Sequence, residues 1–536
     1  MTHSSQSIGG PLPEVNLSLR FARLNAGPLL LACLVVAYAA WLSTVAIPTN
    51  VDVSWLLVVC DRLLGGEHLN TDVMEVNPPF SIWLYMPFMV MEKLTGISAE
   101  LWLTLGIICL SLGSLVLSIR IMARGDAAYR EPRALWLAAV ALILILCLFP
   151  YDFGQREHFA LIGILPWLAL QCARQRALDF AAGTQAERFL AGLGAGIVVM
   201  VKPPYFALAL MLPSLCIALQ RRSAKPLFVL ENLLGAAITA IYLACIVLFD
   251  RPFFSDVLPF VREVYLPVRE PFVDIVMGWP KTVLLLAMTT ILAAGGPKHM
   301  HWDVRIPLLA ALGFIPAFII MGKGWPNHAM PMVVLGICAL GMQIIRMGGL
   351  RHAALINKAP AIFGCVLALQ VAVRSQSAAL TGNNDPLAPA ITSILGAVEK
   401  PTIVSLGAQP QLAHPLARRV GGAFVSRNSA AWSVYYTQLL IKDASPEREH
   451  RLEGLRDDMI GAFAKEIGDK KPNIVLYSAY PFPMWDNLML KDARIAAAIQ
   501  HYDVLYQDSF VTVYLRKGSA RYAKNVQRDM QRRASF

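Results

Sequence analysis

Asp52 stands a few residues past the first long apolar run, in Val51-Asp52-Val53-Ser54-Trp55. Between Val and Trp neighbours its carboxylate is partly desolvated, which raises basicity and suits general-base work. It also reads as the N-cap of an amphipathic helix over 53–64 lying on a membrane; the two roles are compatible. The stretch Pro150-Tyr151-Asp152-Phe153-Gly154-Gln155-Arg156-Glu157-His158 sets five polar side chains within seven residues between apolar runs. Such density at a membrane is costly unless paired or hydrated. Arg156 has the planar fork that grips phosphate bidentately, and Glu157 and His158 can meet sugar hydroxyls. The alternative is an Arg156–Glu157 pair that only anchors the loop. Lys202, in Val201-Lys202-Pro203-Pro204, and Lys323, in Gly322-Lys323-Gly324-Trp325-Pro326-Asn327-His328, each end an apolar run. A single lysine there snorkels. Together with Arg156 and His328, the two form a cationic pocket for a phosphate leaving group.

No H-x-x-x-H pair or close carboxylate pair marks a metal site, and there is no Walker loop or serine-nucleophile motif. A divalent metal, if one is used, has Glu75, Glu157 and His158 as its candidate ligands; no cofactor is implied.

The elements that must hold these residues are membrane helices. Of the 536 residues, 56% are hydrophobic and only 15% charged, and the mean hydropathy is +0.53. A soluble chain is nearer one quarter charged. Apolar runs of roughly 17–25 residues, each long enough to cross a bilayer core, recur from Leu29 to about Val373. Loop charge gives alternation: Arg20 and Arg23 hold the N-terminus in the cytoplasm, and Arg120, Arg124, Arg174, Arg221, Arg222, Arg305, Arg346 and Arg351 mark later cytoplasmic ends. The runs 28–47, 98–120, 134–150, 159–173, 189–201, 205–219, 226–249, 281–295, 306–321, 331–345 and 359–373 make eleven spans, N-terminus in and C-terminus out. The fold class is an all-α membrane domain of about 11–13 transmembrane helices with a C-terminal extracytoplasmic α/β domain. Its divisions are a tail over 1–27, the membrane domain over 28–375 and a soluble domain over 376–536. Pro79–Thr95 is apolar but short and proline-bounded, and parity makes it interfacial or re-entrant. The aromatic stretch Arg251–Tyr265 reads as an interfacial helix or a wall for a lipid tail.

Strands are expected at Thr402–Leu406, Asn473–Tyr477 and Phe510–Leu515, with helices around Glu447–Lys465 and Leu490–Gln500. The net charge of +11 resides largely in short loops and in the basic tail Arg516–Arg533; no recognition motif accompanies it, so nucleic acid is not a partner. The nine cysteines end at Cys365 and sit mostly in apolar runs, which leaves no disulfide framework.

In order and spacing over about residues 28–375, the chain resembles the GT-C superfamily of membrane glycosyltransferases. It is most similar to bacterial lipid A aminoarabinose transferases and, more distantly, to protein O-mannosyltransferases. Five elements carry the resemblance. Asp52 stands where the family has its first-loop acid, although Val53 replaces the second member of the usual Asp-Glu pair. Arg62-Leu63-Leu64-Gly65-Gly66-Glu67 resembles the Arg/Leu/Gly helix end, and Glu75-Val76-Asn77-Pro78-Pro79 the Glu-x-(x)-Pro element. Gly192–Lys202 is similar to a Gly-rich helix ending in Lys, and Lys323-Gly324 to the Lys-Gly loop. Gly154–His158 departs from the aminoarabinose pattern, which leaves the donor sugar open.

The resemblance implies a polyprenyl-phosphate-linked sugar as donor, and a glycan, lipid or protein acceptor, at the outer face of the bacterial inner (plasma) membrane. Asp52 is then the base, Lys202, Lys323, Arg156 and His328 neutralise the lipid phosphate, and Glu75, Asn77, Glu157, His158 and Arg62 contact sugar or acceptor. A single displacement inverts configuration. The rival reading, a multispan transporter or lipid flippase, calls for inverted repeats and broken helices at mid-membrane. No internal repeat is visible, and the charges gather at one face. A scaffold leaves Asp52, Lys202 and Lys323 without a task, and an oligosaccharide ligase would dispense with the carboxylate base.

Overall fold

Backbone amides facing lipid have no water to bond, so apolar runs of this length close their hydrogen bonds within helices. The computed structural model describes residues 26–176, 182–278, 301–346, 355–381 and 387–519. All but the last two residues of the expected N-terminal tail, the expected span at 281–295 and all but the first few residues of the basic C-terminal tail lie outside them. The first helices are α1 (Ala26–Trp41, continued by a π turn to Ala46), α2 (Val51–Leu64), α3 (Phe80–Trp83), α4 (Met86–Thr95), α5 (Ala99–Gly125) and α6 (Pro132–Cys147). Then come α7 (Arg156–Arg176), α8 (Gln185–Val201), α9 (Ala207–Gln220), α10 (Leu230–Phe249), α11 (Trp302–Met321), α12 (Pro326–Arg346) and α13 (Leu355–Thr381). Six helices among the described residues are long and apolar enough to cross a membrane, and α6 and α9 are shorter apolar helices. The chain is a multi-pass membrane protein. Each expected span within the described residues coincides with one of these helices.

Charged side chains sort the helix ends into two groups. At one end Arg120 and Arg124 meet Glu187, Arg174 and Arg188 share Glu231, and Arg346 pairs with Asp126 and Asp303. The other end carries the C-terminal domain. There Arg418 donates to Glu92 at 2.6 Å and to Glu100 at 2.5 Å, clamping the domain onto α4 and the start of α5. The segment α3–α4 breaks at Leu84–Tyr85. The N–H of Phe80 at its start bonds the Tyr242 hydroxyl of α10, and Glu92 near its finish is held by Arg418.

The Arg418 clamp predicts an effect. Charged hydrogen bonds of this kind contribute roughly 1.5–3 kcal/mol each, so Arg418→Ala loosens domain docking without touching the bundle. Faster hydrogen exchange confined to 410–427 and α4 is the expected result; unchanged exchange there would remove the clamp.

At the bundle centre α7 and α8 cross at Gly163 and Gly194, where a Cβ on either residue would run into the backbone of the other helix. The Gly-rich run of α8 is thus a close-packing device, and it sets Lys202, at the C-terminal cap of α8, beside the first turn of α7.

The C-terminal domain has a five-stranded sheet of order β2-β1-β3-β5-β4. Its strands are β1 (Thr402–Ser405), β2 (Ala423–Phe424), β3 (Ile474–Tyr477), β4 (Tyr502–Gln507) and β5 (Thr512–Arg516). β1 pairs in parallel with β2 and β3, and β5 runs antiparallel to β3 and β4. Alternation gives the sheet two buried faces. Val404, Val475 and Tyr477 pack with Tyr435, Phe463 and Ile467 of helices Trp432–Ile441 and Pro446–Lys470. Ile403, Ile474, Leu476, Val513 and Leu515 face the other way, into a core continuous with α2. β2 and β4 were not expected: β2 has two residues, and the exposed Asp503 and Val504 of β4 break the apolar alternation.

Candidate active site

The first turn of α2 presents Asp52, but it does not cap the helix. Asn50 is the N-cap, its Oδ1 accepting from Asp52 N at 2.9 Å and Val53 N at 3.4 Å. The expected Asp52 cap is corrected: an Asn two residues earlier takes that role, which frees the Asp52 side chain. Nor does α2 lie on a lipid surface. Val53 to Cys60 are all buried, because the C-terminal domain covers the helix, with His414 and Phe424 ringed about Trp55 at 5.2 and 5.8 Å. Asp52 is only half-buried and sits where the helix dipole favours negative charge. Gln155 Nε2 bridges Asn50 Oδ1 at 2.6 Å and Asp52 Oδ2 at 3.1 Å, tying the first loop to the second.

Arg156 and Glu157 begin α7, buried to 5% and 0% exposure. They do not pair with one another as an anchor. Glu157 Oε1 accepts from Lys202 Nζ, its Oε2 accepts from Asn327 Nδ2 at 3.4 Å, and His328 Nε2 stands 3.9 Å from Oε1. Three helices, α7, α8 and α12, thus converge on one carboxylate. Arg156 makes no side-chain hydrogen bond and no ion pair among the described residues, and its Nε is buried without a partner. The charges of Glu157, Asp52 and Glu75 and the Tyr85 hydroxyl all act on it. An unpartnered buried guanidinium beside acids is a strong indicator of a ligand site, since native interiors pair such groups.

Glu75 is buried in the first loop, held by Trp55 Nε1 on one oxygen and by the N–H and Nδ2 of Asn77 on the other, at 2.7 and 2.6 Å. Burial pushes its carboxyl above the usual range, against the hydrogen bonds of Asn77 and Trp55 and the charge of Arg156. Lys323 lies between Gly322 and Gly324, both at positive φ, and a Cβ at Gly322 would strike the Arg269 side chain. Its ammonium donates to the carbonyls of Tyr265 and Val268 and stands 4.1 Å over the Tyr265 ring. Burial, aided by the charge of Arg269, lowers its pKa to about 8. Tyr265 feels the charges of Asp52, Arg156 and Glu75, which places Lys323 at the rim of the same site.

The structure therefore brings together Asp52, Arg156, Glu157, Lys202 and His328, with Glu75 and Lys323 at the border. Asn77 reaches the site only through Glu75. Arg62 points elsewhere: it bonds Glu67, Asp72 O and Ser426 O, clipping the first loop to the C-terminal domain. His158 turns its Nδ1 to the Gly154 N–H and its ring to Phe153. The candidate metal set does not assemble. Glu75, Glu157 and His158 each have other partners, and no group of three or more His, Cys, Asp or Glu suited to a metal occurs among the described residues. Asn50, Gln155, Tyr85, Tyr265 and Asn327 were missed as site residues. Gln155 and Asn327 each immediately precede a chosen residue, and that was the one available signal. The stretch 251–265 folds as π and α turns under the domain, with Phe260 and Tyr265 against Trp432.

No family model matches the chain, and no curated protein matches it in sequence. Two solved structures share its fold across nearly the whole length. ArnT from Cupriavidus metallidurans bound to undecaprenyl phosphate superposes with a TM-score of 0.54 at 14% identity, covering 93% of this chain and 99% of that one. The apo state of the same protein gives 0.53 at 14% identity, covering 91% and 98%. The chain thus shares the fold of these two structures.

Proposed function

We propose that the chain is a glycosyltransferase that moves a sugar from a polyprenyl-phosphate donor to a glycan, lipid or protein acceptor. The observation that carries this is the buried, unpartnered Arg156 guanidinium beside the half-buried Asp52 carboxylate. A cation waiting for an anion and a base beside it are what displacement of a phosphate from an anomeric carbon needs. The neighbour's bound undecaprenyl phosphate supports a lipid phosphate as the anion.

In this reading Asp52 removes the proton from an acceptor hydroxyl as its oxygen bonds the anomeric carbon. The bond from that carbon to the phosphate oxygen breaks, and the electron pair leaves with the lipid phosphate. Arg156 and Lys202 neutralise that charge, with His328 and Lys323 alongside. Lys202 keeps N–H groups beyond the one given to Glu157, and Lys323 beyond the two given to carbonyls. One displacement inverts the sugar. The lipid tail stays in the bilayer, and the site and C-terminal domain face the outside of a bacterial inner membrane with the N-terminus in the cytoplasm.

The test is to incubate the purified protein in lipid nanodiscs with a panel of polyprenyl-phosphate sugars and measure released lipid phosphate. Release with at least one sugar is expected; silence across the panel from folded protein would overturn the reading. A pH profile adds a second check. Lys323 titrates at about 8, so its charge is present below that pH and lost above it. Donor KM should rise as pH passes through about 8, and Lys323→Arg, which stays charged, should move the rise to higher pH. A profile unchanged by the substitution would remove Lys323 from the donor site.

A further inference from the structure

The C-terminal sheet has a topological switch point that the transfer chemistry does not use. The chain leaves β1 toward β2 on one side and returns past β1 to β3 on the other, while β3 continues outward toward β4 and β5. The loops after the parallel neighbours β1 and β3 therefore diverge, and a crevice opens beyond their carboxyl ends, where open α/β sheets hold ligands. In this structure that place is a shallow cleft of about 60 Å³ lined by Gln409, Gln411, Leu412, Ser478, Tyr480 and Phe510. That is too small to enclose a sugar ring, against roughly 300 Å³ for an enclosing small-molecule pocket, so a ligand here lies across the mouth of the cleft, on its aromatic and carboxamide rim.

The lining specifies the ligand. None of the six side chains is charged. Tyr480 and Phe510 stand 5.5 Å apart with rings tilted by 52°, and Tyr480 is 61% exposed, so its ring is open to a ligand. The Gln409 and Gln411 carboxamides make no hydrogen bond among the described residues. The buried Ser478 Oγ accepts from Tyr480 N at 3.2 Å, which leaves its hydroxyl proton to give. Aromatic faces pack against the C–H face of a pyranose, and carboxamides and a hydroxyl pair with its hydroxyl groups as both donors and acceptors. A phosphate or uronate would find no cation among these side chains.

We infer that this cleft binds a neutral glycan. The loop that forms one wall continues from Gln409 through Pro410–Leu412, which packs on α2, to His414, whose ring lies 5.2 Å from Trp55. Trp55 in turn holds Glu75. A glycan in the cleft is thus seated one short loop from the candidate active site, where an acceptor chain extending from it can reach. The placement as an acceptor dock rests on the transfer reading; the binding itself does not.

The experiment titrates the full chain in nanodiscs with maltotriose, mannotriose and chitotriose, and with a uronate trisaccharide, by saturation-transfer NMR. At least one neutral trisaccharide should bind in the millimolar range or tighter, and the uronate should not. Tyr480→Ala should weaken that binding up to about tenfold, as expected for a lost aromatic stack, with melting temperature unchanged. Gln409→Ala should weaken it without affecting the fold. Asp52→Asn should bind as the unaltered protein does, so binding is scored apart from transfer. The inference is overturned if no neutral trisaccharide binds, if the uronate binds equally well, or if Tyr480→Ala keeps full affinity. None of these outcomes bears on donor turnover, which is measured separately.

Discussion

Asp52→Asn is expected to lower transfer by roughly 10²–10⁴-fold, the usual contribution of a general base, while the protein folds and binds donor as before. The structure makes this substitution unusually clean. Helix α2 starts on the Asn50 cap, so the fold loses no cap when the carboxylate goes. Asp52 receives one side-chain hydrogen bond, from Gln155, and an asparagine oxygen can accept it in the same position. The side chain is only half-buried, so exchanging its charge costs little solvation. What disappears is the ability to take a proton from the acceptor. Single-turnover release of lipid phosphate, read beside the melting temperature, measures this directly. A variant that keeps more than a tenth of the rate shows that another group, or none, removes the proton. A ligase-like mechanism without a carboxylate base predicts that outcome.

The membrane architecture was legible because lipid imposes a length and charge rule that a sequence cannot hide. Each expected span within the described residues lies on a helix. The site was legible less evenly. Lys202 and Glu157 were both chosen, yet their pairing was not, because it depends on α7 and α8 meeting at Gly163 and Gly194, a contact between residues far apart in the chain. The alternative, a local Arg156–Glu157 pair, fails because sequence proximity stands in poorly for geometry at a helix start. There, successive side chains point about 100° apart. Arg62 was drawn in by its motif, whereas its partners Ser426 and Asp72 belong to the seam with the C-terminal domain. The cap went to Asn50 rather than Asp52 because either type caps well, and only the position of the first helical turn decides.

The Glu157–Lys202 pair separates a chemical role from an architectural one. Glu157 is fully buried and Lys202 nearly so, at 0% and 10% side-chain exposure. Removing one member of such a pair strands the other, at a cost of roughly 3–5 kcal/mol. Lys202→Met should therefore lower the melting temperature markedly and reduce transfer by about 10²–10³-fold, the scale of a lost charge-stabilising donor. On its own this result is ambiguous, since instability alone depresses activity. The double variant Glu157→Gln/Lys202→Met resolves it. Neither residue then carries charge, Asn327 can still bond the glutamine, and most of the lost stability should return. Transfer should not return, because the phosphate has lost its cation. If the double variant recovers both stability and turnover, the pair is a packing device and the leaving group relies on Arg156, His328 and Lys323. If it recovers stability without turnover, Glu157 is the residue that holds Lys202 in place and Lys202 is the one that meets the donor.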